Sequence, residues 1–327
     1  MIVAFIDECR REGYAVESVC RVLSEQGCQI AARTYRSWAS TSQHVADRTI
    51  SDAIVEDAVR DAAWTVDEHG PMAGVRRLTP EGLYGRRKMT ALIQRTIPEA
   101  SPGSVDRAMK ALGLNGIRRA KGVRTTIPAK GGKRAGDLLD RDFTAPAPNC
   151  TWVMDSTYCR TWAGFVYVSF IVDVFAQKIV AWHAATSKDV ELVMTPLRMA
   201  IWQRQREGHP IERDELIGHS DAGSQYTSIT FTEHLETRGH PPSIGTVADE
   251  YDNSLMETVI GLFKTECIRT TVFHSGPYRT LADVDWATTG WVDWYNSRRL
   301  HSSLDYSTPE EFETAHYAAL NRELQPV

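Results

Sequence analysis

The stretch WVMDSTYCRTWAGFVYVSFIVDVFAQKIVAW, residues 152–182, decides the fold. Its middle, GFVYVSFIVDVF (164–175), is rich in Val, Phe, Tyr and Ile and reads as a strand. NCTWVMDSTY before it reads as a shorter strand ending near Tyr158, and KIVAWHAA (178–185) as a third, with FAQK a tight connection between the last two. Downstream the pattern alternates. Asp189 to Gln205 is amphipathic, with Leu192, Val193, Pro196, Leu197, Ala200 and Ile201 on one face and Pro196 a kink. LIGHSD (216–221) reads as a strand, Thr230 to Arg238 as a helix, PPSIGT (241–246) as a strand and Asn253 to Ile268 as a helix. Three hairpin-linked strands followed by alternating helices and strands predict an α/β fold: a mixed five-stranded sheet flanked by helices.

Upstream the grammar is helical. VESVCRVLSEQGCQIAARTYRSWA (16–39) predicts two short helices about a turn at Gln26–Gly27. A second pair covers Arg86 to Arg95 and, after TIPEASPG, Ser104 to Leu112, with Ser104 as the cap. These small all-α, helix–turn–helix-like regions are assigned to 1–45 and 46–121. The segment 122–149 has four glycines, three prolines and no sustained period, so it reads as a linker. The α/β region of 150–312 and a tail of 313–327 complete the division.

The formal net charge of −5 hides an asymmetry. Residues 1–149 carry 23 Lys and Arg against 18 Asp and Glu, whereas 150–327 carry 14 against 24. Arg107 to Arg134 holds nine basic side chains and no acid. A basic block of this kind suits a polyanion, and Arg107, Lys110, Arg118, Arg119, Lys121 and Arg124 are its candidate DNA contacts. A solvated face plus a flexible linker is the competing explanation. The chain lacks an apolar run of 18 residues and a signal-peptide pattern, which predicts a cytoplasmic protein without a membrane partner. Six scattered cysteines, with no C-x-x-C pair, read as reduced thiols.

Three acids sit at ends of elements: Asp155 within the apolar run of the first strand, Asp221 where LIGHS gives way to DAGSQY, and Glu257 on the last helix. Singly, each has an ordinary structural explanation. Brought together, three carboxylates repel unless cations sit among them, and hard divalent ions take oxygen ligands. Along the helix YDNSLMETVIGLFKTE (251–266), Asn253, Glu257, Gly261 and Lys264 recur every three or four residues and share a face. Gly261 then leaves room for a DNA strand, and Lys264 can hold its phosphate.

The segments containing DSTY (155–158), HSDAGSQY (219–226) and DEYDNSLMETVIGLFKTE (249–266), with WVDWYNSRRLHSSLDYSTPEEF (291–312), resemble the insertion-sequence transposases of the DDE, retroviral-integrase-like type. The match is closest to the second-frame protein of the insertion-sequence-three family. It rests on the joint motifs and on Lys264 seven residues beyond Glu257. The resemblance implies an RNase H-like fold and a polynucleotidyl transferase that nicks element ends and transfers strands. It implies Asp155, Asp221 and Glu257 as catalytic metal ligands, holding two Mg²⁺ ions with Mn²⁺ able to substitute. It also implies Lys264 as a DNA contact, with Asn253 a further DNA contact on the same stripe, Ser220, Gly223, Gln225 and Tyr226 as a shaping turn, and Asp252–Asn253 as the start of the catalytic helix. Implied partners are element ends, target DNA, further copies of the chain and an upstream-frame product as a fusion. A metal-dependent nuclease of the same fold, and a catalytically idle DNA-binding regulator, are the rival readings.

Overall fold

The computed structural model describes residues 2–40, 46–66, 74–118, 145–211, 216–220, 242–244 and 254–323. The chain divides into two compact units, Met1–Ile54 and Val55–Val327. The first contains α1 (Ile2–Arg11), α2 (Val16–Glu25) and α3 (Ala32–Ser40). Ile6, Val19, Cys20, Ile30 and Tyr35 form its core. The expected turn is present, with Gly27 at φ +87°, a conformation glycine adopts without steric cost. Helix α1 was not expected.

In the second unit, α4 (Asp47–Ala63, which begins in the first unit) is followed by a two-stranded antiparallel sheet of β1 (Trp64–Val66) and β2 (Arg76–Leu78). The region 46–121 is therefore not all helix. Helices α5 (Arg86–Gln94) and α6 (Pro102–Ala111) follow. The cap of α6 differs from expectation: Ser101, not Ser104, is the N-cap, and its hydroxyl accepts from the Ser104 amide at 3.0 Å. Pro102, at the first helical position, starts the helix because its missing N–H is needed by no partner there.

Five strands form the main sheet: β3 (Thr151–Thr161), β4 (Gly164–Asp173), β5 (Lys178–Ala185), β6 (Ile217–Ser220) and β7 (Pro242–Ile244), in the order β5-β4-β3-β6-β7. The β3–β4 and β4–β5 pairs are antiparallel, while β3–β6 and β6–β7 are parallel. This mixed order, with α7 (Glu191–Arg206) leading into β6 and helices on both faces of the sheet, is RNase H-like. Successive residues of β3 alternate between faces. Trp152 and Met154 pack with α7, whose Val193, Met194 and Leu197 belong to the same cluster. Val153 and Cys159 face the larger cluster, with Met256, Val259 and Phe263 of the following helix and Val284, Ala287 and Trp291 of α9 (Leu281–Ser297). Between these helices, α8 (Ser254–Leu262) passes into six residues of π winding, Phe263–Ile268.

Residues 80–114 are not a free-standing module. Tyr84 accepts from the Leu300 amide at 2.9 Å, and Trp294 donates its indole N–H to Glu81 at 2.9 Å. Arg95 forks onto Glu311 with two contacts of 2.8 Å. Residues 313–323, expected as tail, lie in α10 (Pro309–Glu323). Glu313 is buried there and meets Arg204 at 2.5 Å and Lys178 at 2.9 Å. All six cysteines are free thiols, as expected. No helix among the described residues is long and apolar enough to cross a membrane.

Candidate active site

Asp155 lies on β3 opposite Phe170 of β4, on the face that α8 covers. Phe170 packs edge-on against Phe263, with ring centroids 5.1 Å apart, and against Trp291 at 5.9 Å. These rings fix the spacing between the strand that carries Asp155 and the helix that carries Glu257, since edge-to-face pairs are geometrically selective. Asp155 is half-buried, and its Oδ1 accepts from the Ser156 amide at 2.6 Å. That contact holds the carboxylate in one orientation. Glu257 is exposed in the first turn of α8.

Strand β6 contributes the third approach. Its last residue, Ser220, is in parallel register with Met154, one residue before Asp155. Ser220 and His219 are buried. Asp221 follows in sequence but lies outside the described residues, as do Asn253, Arg119, Lys121, Arg124, Asp252 and the turn residues Gly223, Gln225 and Tyr226. Among the described residues no group of three His, Cys, Asp or Glu side chains could hold a metal ion. Two carboxylates on packed elements nevertheless supply the oxygen donors that hard divalent cations prefer.

Lys264, within the π-wound segment, is half-buried, and its ammonium lies 5.3 Å from the centroid of the Tyr158 ring. Beneath it the Cys159 thiol is pushed up to about 12 by burial, an effect that the Lys264 charge partly offsets. The stripe expected along α8 is closed at its middle, because Gly261 is buried rather than open to a DNA strand. The helix was read as uniformly α; π winding from Phe263 instead buries Thr265, Glu266 and Cys267 together. Sequence reasoning missed Glu266. Arg299 clasps it with contacts of 2.7 and 3.0 Å, and the Trp291 indole reaches it at 3.4 Å. The residues RR within WVDWYNSRRLHSS were visible, but nothing local marks which arginine turns inward.

Arg107, Lys110 and Arg118 are exposed and distant in sequence from the carboxylates. Lys110 pairs with Asp106 at 2.9 Å on α6.

Two family models described as Integrase core domain match the chain, over residues 145–249 and 238–309. It is 36% identical over 315 residues to the transposase for insertion sequence element IS629 of Shigella sonnei, covering 96% of each chain. The chain belongs to the insertion-sequence transposases. Transposase InsF for insertion sequence IS3A of Escherichia coli (strain K12) is 26% identical over 97% of this chain and 100% of its own length. The protein named as transposase for IS986/IS6110 in Mycobacterium tuberculosis (strain ATCC 25618 / H37Rv) is 44% identical over 74% of this chain and 85% of its own. The transposase thus falls in the insertion-sequence-three family and is a DDE-type polynucleotidyl transferase. Among solved structures, the HTLV-2 integrase catalytic core domain covers 51% of this chain and 98% of its own, at 14% identity and a TM-score of 0.36.

Proposed function

We propose that Asp155, Asp221 and Glu257 are the three catalytic carboxylates of this transposase and that they hold two divalent cations, Mg²⁺ or in its place Mn²⁺. The observation that supports this most is the parallel register of Met154 with Ser220, together with the packing of α8 on the Asp155 face of β3. It supports a site in which Asp155 on β3, Asp221 just after β6 in sequence and Glu257 in the first turn of α8 share one region of the sheet, a common location for grafted chemistry. When bound, such ions polarise the scissile phosphodiester and neutralise charge that develops on its oxygens.

The protein's own residues do the positioning. The Asp155 carboxylate, oriented by the Ser156 amide, and the Glu257 carboxylate supply oxygen ligands from two rigid elements. Lys264 acts as a point charge for a phosphate near the reacting bond. Arg107, Lys110, Arg118, Arg119, Lys121, Arg124 and Asn253 contact DNA, the basic residues through its phosphate backbone. Element end and target DNA are the substrates: a nick exposes a 3′-hydroxyl, which then attacks a second phosphodiester in line. Two ends must be held together, so the working form is a multimer on DNA, with the upstream-frame product fused where it is present.

The test is a labelled element-end oligonucleotide incubated with protein and Mg²⁺ or Mn²⁺, resolved on a denaturing gel. Products longer than the input are expected from the wild type. They should fall at least about a thousandfold in Asp155→Asn, Asp221→Asn and Glu257→Gln, in line with several kcal/mol of lost charge stabilisation. Strand transfer retained by any one of these variants removes that residue from the site.

A further inference from the structure

The tip of the β3–β4 hairpin exposes three large rings: Tyr158 at 57%, Trp162 at 71% and Phe165 at 51%. Soluble proteins expose single apolar side chains freely, but three large exposed aromatic rings within residues 158–165 of one hairpin call for an occupant. The tip is not loose. The Trp162 amide donates to the Tyr278 carbonyl at 3.1 Å and the Ala163 amide to the Arg279 carbonyl at 2.9 Å. Tyr158 and Phe165 pack edge-on at 5.4 Å. Two cations cover rings of this patch: Lys264 over Tyr158 at 5.3 Å and Arg279 over Trp162 at 5.2 Å.

We propose that this hairpin tip is a stacking platform for unpaired bases of a DNA strand that leaves the carboxylate site. Fixed aromatic rings interleaved with cations are what single-stranded nucleic acid requires, the rings for its base faces and the cations for its backbone. The direction follows from Lys264, seven residues beyond Glu257, whose ammonium lies over the Tyr158 ring. Tyr158 lies three residues beyond Asp155 and Trp162 seven beyond it, roughly 10 Å and 23 Å along an extended chain. An unpaired strand is more extended than the ~3.4 Å rise of a duplex strand, so those positions lie within about three and seven nucleotides of a phosphate held in the carboxylate site. The inference rests on the assignment of Asp155 to the catalytic site. It adds that the end must be melted over its last few pairs, and that the hairpin, not the carboxylates, holds the melted strand.

The experiment uses the full chain in EDTA, so that no chemistry occurs, with fluorescent duplexes carrying either a blunt end or an unpaired tail of eight nucleotides (a length of about eight spans the platform). Fluorescence anisotropy is expected to show tighter binding of the tailed duplex. Trp162→Ala and Tyr158→Ala should each weaken tailed binding by about tenfold or more, leaving blunt binding unchanged, and Tyr158→Phe should bind like wild type. Since the rings are exposed, unchanged thermal melting is expected for all three variants. Equal losses on tailed and blunt duplex, or no loss on either, overturn the proposal. So does a change in sedimentation without a change in tailed binding, which assigns the patch to a second copy of the chain. Because the readout is metal-free binding, loss of the carboxylate assignment appears separately, as strand transfer that survives Glu257→Gln.

Discussion

Arg204 offers the sharpest test of how the catalytic sheet is held. It is buried on α7, with Glu313 of α10 at 2.5 Å, Glu207 at 3.2 Å and Asp173, the last residue of β4, at 3.4 Å. Asp173 is fully buried and also accepts from the Asn149 amide at 2.7 Å, the Phe175 amide at 3.0 Å and the Trp152 indole at 3.3 Å. Burial raises the Asp173 pKa, while those amides and Arg204 pull it back. Arg204→Met keeps the stem and removes the charge. Removing one partner of a buried ion pair costs about 3–5 kcal/mol. The remaining donors on Asp173, and Lys178 beside Glu313, place the expected loss near the lower end, about 3 kcal/mol. Urea unfolding followed by near-ultraviolet circular dichroism should show a midpoint lower by about 1 M or somewhat more. An unpaired buried carboxylate is penalised only when charged. The deficit should therefore be largest above neutral pH and shrink as pH falls towards the unfolded carboxylate range near ~4. Arg204→Met combined with Asp173→Asn and Glu313→Gln should recover to within about 1 kcal/mol of wild type. A single-variant loss below about 1 kcal/mol, or a triple variant no more stable than the single, refutes the reasoning.

Two further perturbations probe the helices around 84–118. Lys88 is lowered to about 7, first by burial and then by Arg299, with Glu266 opposing. The folded state then binds fewer protons than the unfolded between about pH 7 and ~10.4, so stability rises with pH across that window. Lys88→Met should abolish this slope and exceed wild-type stability at pH 7 by up to about 4 kcal/mol, read from paired denaturation curves at pH 7 and pH 9. Gly116 sits at φ +65°, and a Cβ there would lie 2.6 Å from the Gly85 Cα. Gly116→Ala should lower the melting temperature clearly more than Gly113→Ala, because Gly113, at φ +71°, has open space around it and bears only the conformational strain.

The sheet was legible because its strands obey a period of two and are rich in β-branched and aromatic residues. Strand β4 is described by its sequence almost to the residue, and β3 runs only three residues past the expected end at Tyr158. Strands β1 and β2 were not, since three residues each, WTV and RRL, give no period to detect. Ser101 was passed over as a cap because Pro102 and Gly103 read as breakers, although proline at the first helical position starts a helix. Asp155 and Glu257 stood out as acids in apolar surroundings, and the structure puts their elements together. The partners Tyr158 and Lys264 are 106 positions apart, and no local pattern joins an aromatic on a strand to a lysine on a later helix. The same holds for Asp173, which lies inside the predicted strand 164–175 with nothing local to set it apart. Its meaning depends on an arginine 31 residues later and a glutamate on the last helix.

Glu266 follows Glu257 on the same continuous helix, and the guanidinium that satisfies it arrives 33 residues later. At ~5–20 residues per second of synthesis, that is a delay of roughly 2–7 seconds. During it the ribosome-bound chain has already exported the helix of Glu257 but not the clasp that seats it. Burial of a carboxylate without its cation is strongly unfavourable, so the helix should stay undocked for that interval. A half-made transposase should consequently be unable to cut DNA beside the gene from which it is being read.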